Sequence, residues 1–176
     1  MARLQSIMTG EFSEYGEVGF VVPTRYYLEF VRSNRLFSAV EPLQIVTYEE
    51  YIGELLATDR FRSDSEYRFE MLDRLRDHMD DNSTVDPELV TSIARRIGEV
   101  FGETTSRVRF RSSSNVEDAL EFNGAGLYDS TSACAADDLD DDNSGPSRCD
   151  SDNASERGVA RALRKVWQSV WNFRAF

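Results

Sequence analysis

The sequence holds one histidine, two cysteines and four prolines in 176 residues, and Lys165 is its only lysine. No apolar run is long enough to cross a bilayer, so no membrane span is expected. The opening stretch MARLQSIMTGEF lacks the apolar core of a secretion signal, so the expected location is cytoplasmic. Positive charge is scarce. Twenty Lys and Arg stand against 32 Asp and Glu, for a net charge of -12. That balance excludes a general nucleic-acid binder and a protein held on anionic membranes. With no secretion signal, Cys134 and Cys149 are expected as free thiols. The lone His78 falls on the polar end of a helix, where a surface residue is expected rather than a catalyst. No internal repeat is visible.

What is present fits one globular domain. Hydrophobic residues make up 40% of the chain, enough for a sizeable core. Phe20 to Val22 reads as a short buried strand ended by Pro23, and Thr24 as the cap of a helix to Asn34. Leu43 to Val46 reads as another short strand. Thr47 and Glu50 form a capping-box pattern that opens a helix to Thr58. Ser63 or Asp64 should cap a helix to Met79. Asp86-Pro87-Glu88 is a strong helix start, and Gly102 a stop. The class is mixed α/β, with a helical subregion over about 47–102. Negative charge gathers between Asp129 and Asn153, where eight Asp face one Arg. Residues 131–154 read as a mobile acidic loop of low complexity. Asp138 to Asp142 invites a calcium reading, but the EF-hand pattern fails at Asn143 and Cys149, and a solvated loop is expected. The last helix should start near Asn153 or Ser155, with Val159, Leu163, Val166, Val170 and Phe173 as its core stripe. Trp167 and Trp171 should pack in the core or at a domain interface. The helix runs into the C-terminus without a cap, so the chain is expected to be a fragment of a larger enzyme.

The most informative stretch is VRFRSSSNVEDALEFNGAGLYDS, from Val108 to Ser130. Val108 and Phe110 alternate with Arg107, Arg109 and Arg111, as on a strand. Ser112, Ser113, Ser114 and Asn115 follow, then Glu117 and Asp118, then the small-residue turn Asn123-Gly124-Ala125-Gly126. Arginine forks at a strand end, hydroxyls, and a glycine turn that exposes backbone N–H groups suit a phosphate. The same residues also fit a solvated strand edge with an ordinary turn. Arg107 and Arg109 read better as solvated positions. Glu117 and Asp118 either orient an arginine or end a turn.

This stretch resembles the signature of the PEP/pyruvate-binding domain of phosphoenolpyruvate synthase and pyruvate phosphate dikinase. That family reads V-R-S-S-A-T-x-E-D, a short spacer, then F-A-G-x-x-x-[ST]. Rifampin phosphotransferase and the glucan-water dikinases resemble the same domain. Gly19 to Pro23 with Tyr26, Tyr27 and Phe30 resembles the family's N-terminal motif, and Arg161 to Phe176 resembles its Trp-containing helix.

The resemblance implies the N-terminal portion of an ATP-grasp-like nucleotide-binding domain. Arg111 falls on the family's phosphate-contacting, catalytic arginine, Gly126 on its nucleotide-contacting glycine, and Ser130 on its serine or threonine. The implied activity is a dikinase-type transferase, a kinase that passes phosphate from ATP to a histidine on another domain and on to pyruvate or a similar acceptor. The implied cofactors are ATP and Mg²⁺, with the magnesium ligands outside this chain and no metal ligand within it. The implied partners are a phosphohistidine domain and an acceptor-binding domain of the same larger protein. One departure is plain: the family's lysine-bearing G-G-K stretch has no counterpart in residues 1–18. The rival expectation is a non-catalytic interaction or regulatory domain that keeps the fold without the site.

Overall fold

The structure is a computed structural model that describes residues 18–112, 118–119, 122–123, 126–140, 142 and 144–176, with backbone alone at 118–119 and 122–123. The protein is mixed α/β, and helix predominates. Helix α1 (Arg25–Ser33) leads into strands β1 (Arg35–Phe37) and β2 (Ile45–Thr47), an antiparallel pair with Leu36 opposite Val46. Four helices follow: α2 (Tyr48–Ala57), α3 (Asp59–Ser63), α4 (Ser65–Asp81) and α5 (Pro87–Phe101). Strand β3 (Arg107–Arg111) comes next, then the short strands β4 (Asp118–Ala119) and β5 (Phe122–Asn123), which pair with each other. Strand β6 (Ser130–Cys134) returns antiparallel to β3. A 3₁₀ turn over Ala135–Asp138 precedes helix α6 (Val159–Ser169), and a second turn covers Phe173–Ala175.

Local chemistry sets the helix starts. Thr47 and Glu50 close the capping box: Glu50 N–H donates to Thr47 Oγ1 at 3.1 Å, and Thr47 N–H donates to Glu50 Oε2 at 2.8 Å. The Asp64 carboxylate accepts from the N–H groups of Glu66 and Tyr67 at the start of α4. Asp86 caps α5, with Pro87 at the first helical position where its missing N–H costs nothing.

The core joins the helical layer to the β3–β6 ladder through α6. Tyr48, Tyr51, Leu72, Leu75, Met79, Ile97 and Val159 are fully buried. Helix α6 packs against α4, α5, β6 and β3. Its indole Trp167 meets Phe30 at 4.9 Å and Tyr27 at 6.1 Å between ring centroids. Trp171 donates its Nε1–H to the Tyr27 hydroxyl at 2.8 Å. Both tryptophans therefore serve packing.

Several sequence expectations change here. Phe20–Val22 forms no strand; Val21 is exposed, and among the described residues no strand pairs with it. Helix α6 starts at Val159 rather than near 153, because its cap comes from far upstream: the Asp138 carboxylate accepts from Val159 N–H at 2.5 Å. The helix ends at Ser169 instead of running into the C-terminus, and the Asn172 side chain caps the turn that follows. Of its expected stripe, Val159 and Leu163 are buried, whereas Ala162, Gln168 and Ser169 take the other buried positions.

The acidic stretch is the largest correction. In place of a mobile loop from 131, there is a strand, a 3₁₀ turn and a tied loop. Ala133, Cys134, Ala135, Ala136 and Asp137 are buried. Cys134 and Cys149 are joined in a disulfide rather than free. The end of β6 and the turn at Ser147–Asp150 bring their Cα atoms to 5.7 Å, within the range a disulfide spans. Asp137 supplies the second tie. Its two carboxylate oxygens accept from Arg148 N–H at 2.7 Å and Arg157 N–H at 2.8 Å, one on each side of the loop neck. The small residues of STSAC suit this place: they let α6 approach the sheet closely.

Candidate functional site

The arginine face of β3 is organised by its partner strand. Directly opposed residues of an antiparallel pair share one face of the sheet, with Cβ atoms about 4.5–5.5 Å apart. The register sets Arg111 opposite Ser130, Arg109 opposite Ser132 and Arg107 opposite Cys134. The reverse face carries Val108 and Phe110, which pack towards the core with Ala133. This arrangement accounts for the alternation: one face feeds the core and the other presents guanidiniums beside hydroxyls.

The three arginines are not equivalent. Arg107 is bound to Asp150 at 3.1 Å, and Asp150 is carried to it by the turn that the disulfide anchors. Among the described residues, Arg109 and Arg111 form no ion pair. Both are exposed. One end of the face is therefore neutralised from within the chain, and the other offers two cations beside Ser130 and Ser132.

Gly126 adopts φ +79, a left-handed conformation that a side chain would disfavour. The segment after it is held by Asn172, whose Nδ2 donates to the Leu127 carbonyl at 3.2 Å. The turn is thus fastened to the segment just after α6 before the chain enters β6 at Ser130. Of the three expected site residues, Arg111 and Ser130 are brought face to face, and Gly126 leads into the same strand. Glu117, Ser113, Ser114, Asn115 and Gly124 lie outside the described residues, as does the stretch 1–17. Ser132, opposite Arg109, was not singled out from sequence; its signal was the alternation of STSAC in register with RVRFR.

The other polar groups singled out from sequence have structural partners. Lys165 pairs with Asp80 and ties α6 to α4. His78 is half-buried rather than a free surface residue, and its Nδ1 lies 2.8 Å from the Tyr48 hydroxyl. Burial, followed by the Arg74 charge, pushes the His78 pKa down, and burial pushes the Tyr48 hydroxyl up to about 12. A groove of about 470 Å³ runs beside His78 along α4, lined by Glu70, Asp73, Asp77, Asp81 and Arg74 among others. Its carboxylates outnumber its one arginine, which opposes phosphate binding there.

A cation at Arg109 and Arg111 beside two hydroxyls can hold an anion by charge-assisted hydrogen bonds. No protein-family model matches the chain, and neither a curated protein nor a solved structure matches it.

Proposed function

We propose that the chain is the ATP-binding part of a dikinase-type phosphotransferase, built on the N-terminal portion of an ATP-grasp-like domain. The observation that carries this reading is the pairing of Arg111 with Ser130 across β3 and β6, with Gly126 at left-handed φ ahead of it. These are the residues on which the motif resemblance puts the phosphate contacts. ATP with Mg²⁺ would supply the transferable phosphoryl group. Arg111 would hold a phosphate oxygen pair with its planar fork, Ser130 would donate a hydroxyl, and backbone at Gly126 would approach closely. A guanidinium at that place steadies charge as the phosphoryl group leaves. The acceptors in this reading are a histidine on a separate domain and then pyruvate or a similar molecule. The magnesium ligands belong to other parts of the enzyme.

A second reading, a non-catalytic interaction or regulatory domain, draws on Lys165. The chain's one lysine is committed to Asp80 and is not free to neutralise a phosphate. The cytoplasmic setting of a dikinase also sits uneasily with the Cys134–Cys149 disulfide, since such bonds persist mainly in oxidising compartments.

Amide NMR titration with ATP separates the two readings. The dikinase reading expects the largest shifts at Arg111, Gly126 and Ser130. Shifts centred on the α4 groove, or none at millimolar ATP, would overturn it.

A further inference from the structure

The acidic segment has more carboxylates than its fold uses. Asp137 is spent on the N–H groups of Arg148 and Arg157, and Asp138 on the start of α6. Asp150 is paired with Arg107. Asp140 is paired with Arg148 and Asp142 accepts from Ser144 N–H, and one oxygen from each of Asp140, Asp142 and Glu156 lies within 4.8 Å of the others. They come from opposite sides of the loop neck, two after the 3₁₀ turn and one before α6.

Proximity of acids alone is common on protein surfaces. Asp140 adds a separate fact. Its side chain retains only 10% of its accessible surface. Oδ2 accepts from Arg148 Nε at 2.5 Å. Oδ1 is enclosed and has no hydrogen-bond partner. Leaving a buried carboxylate oxygen unmet costs free energy, and native folds avoid it unless something occupies the place. Arg148 reaches Oδ2 through the single Nε contact, and a carboxylate oxygen each from Asp142 and Glu156 lies within 4.8 Å of an Asp140 oxygen.

We propose that Asp140, Asp142 and Glu156 form a calcium-binding site, with Asp140 Oδ1 as its innermost ligand. The three oxygens fit within the diameter of a calcium oxygen shell, about 4.6–5.2 Å from Ca–O distances of about 2.3–2.6 Å. Calcium tolerates irregular ligand sets, and water completes the rest of the shell. The ion would relieve the contact between Asp142 and Glu156. Three carboxylate ligands and an open outer side place the affinity in the weak range, on the order of 10⁻⁴–10⁻³ M, as in extracellular modules. Such a site would form a third clasp on the loop neck, beside the disulfide and Asp137. It does not depend on the nucleotide reading.

Calorimetric titration of the full chain with calcium chloride tests the proposal. The expected result is one saturable site, and a melting temperature that rises with calcium beyond the effect of sodium chloride at equal ionic strength. Magnesium should bind more weakly, because it gives up its water reluctantly. Asp142→Asn keeps the Oδ1 that accepts from Ser144 N–H, and Glu156→Gln is close to isosteric, so both variants should fold, and each should weaken calcium binding at least tenfold. Asp140→Asn should do the same, and circular dichroism will show whether loss of the Arg148 contact unfolds it. No saturable binding up to several millimolar calcium would overturn the site. So would equal stabilisation by sodium chloride, or unchanged affinity in the Asp142→Asn/Glu156→Gln double variant.

Discussion

Asp137→Ala should destabilise the protein far more than its acidic, low-complexity surroundings suggest. Asp137 is 4% exposed, and its two oxygens accept backbone N–H groups from Arg148 and Arg157. Hydrogen bonds to a charged group contribute about 1.5–3 kcal/mol each, so the pair sets a ceiling of about 6 kcal/mol. Water will recover part of this, because Arg148 lies in an exposed turn. The disulfide still holds the neck when the carboxylate is gone. The expected loss is about 2–4 kcal/mol, a fall in melting temperature of roughly 4–16 °C for a chain of this size. Asp137→Asn keeps one acceptor but turns an amide N–H₂ towards a backbone N–H, so it should lose an intermediate amount. Urea denaturation followed by circular dichroism, with the disulfide intact, gives the number. A loss below about 0.5 kcal/mol for Asp137→Ala would refute the reasoning, and the segment would then be the solvated loop its composition suggests.

Three further outcomes are expected. Breaking the disulfide with Cys134→Ser and Cys149→Ser should lower stability by about 3 kcal/mol from the released loop entropy, measured by denaturant midpoint under oxidising conditions. Gly158→Ala should cost about 1–2 kcal/mol, because a Cβ there would stand 2.5 Å from Asp138 Oδ1 and displace the carboxylate that caps α6; an unchanged melting temperature would show that the cap is dispensable. Tyr27, Tyr48 and Tyr51 are each pushed up to about 12 by burial, so three of the seven tyrosines should ionise late in an ultraviolet titration. Their folded pKa values lie above the unfolded value of about 10, so the stability they contribute is complete below pH 10 and is lost as pH rises from about 10 towards 12; tyrosines that all ionise together near pH 10 in the folded protein would count against this.

Signals confined to one turn of chain were legible in the sequence. Thr47 with Glu50, and Asp86 with Pro87, act within three residues, and the helices start where they indicate. The alternation of Arg107, Val108, Arg109, Phe110 and Arg111 fixed a strand and its two faces before any partner was known. What was hidden depends on distant pairing. STSAC has little strand preference of its own, and becomes β6 because β3 offers a ladder and α6 needs small residues beneath it. The cap of α6 was sought at Asn153 or Ser155, yet it comes from Asp138, 21 residues before the N–H it accepts. Asp137 and Asp138 looked like more of the same charge, but they satisfy backbone groups that local sequence leaves open. Phe20–Val22 failed in the opposite sense, since an apolar run becomes a strand only where another strand can meet it.

The central claim is that Arg111 binds phosphate, and titrating ATP against wild type, Arg111→Ala and Arg111→Lys by calorimetry tests it most directly. The wild-type chain should bind weakly, because Arg109 and Arg111 are exposed and charge contacts there are weakened by water. Arg111→Ala should lower affinity roughly tenfold to a hundredfold, the loss of one charge-assisted contact. Arg111→Lys should recover only part of it, since a point charge does not reproduce the planar fork. Equal affinity in all three proteins would contradict the account and leave Arg111 as a solvated strand residue.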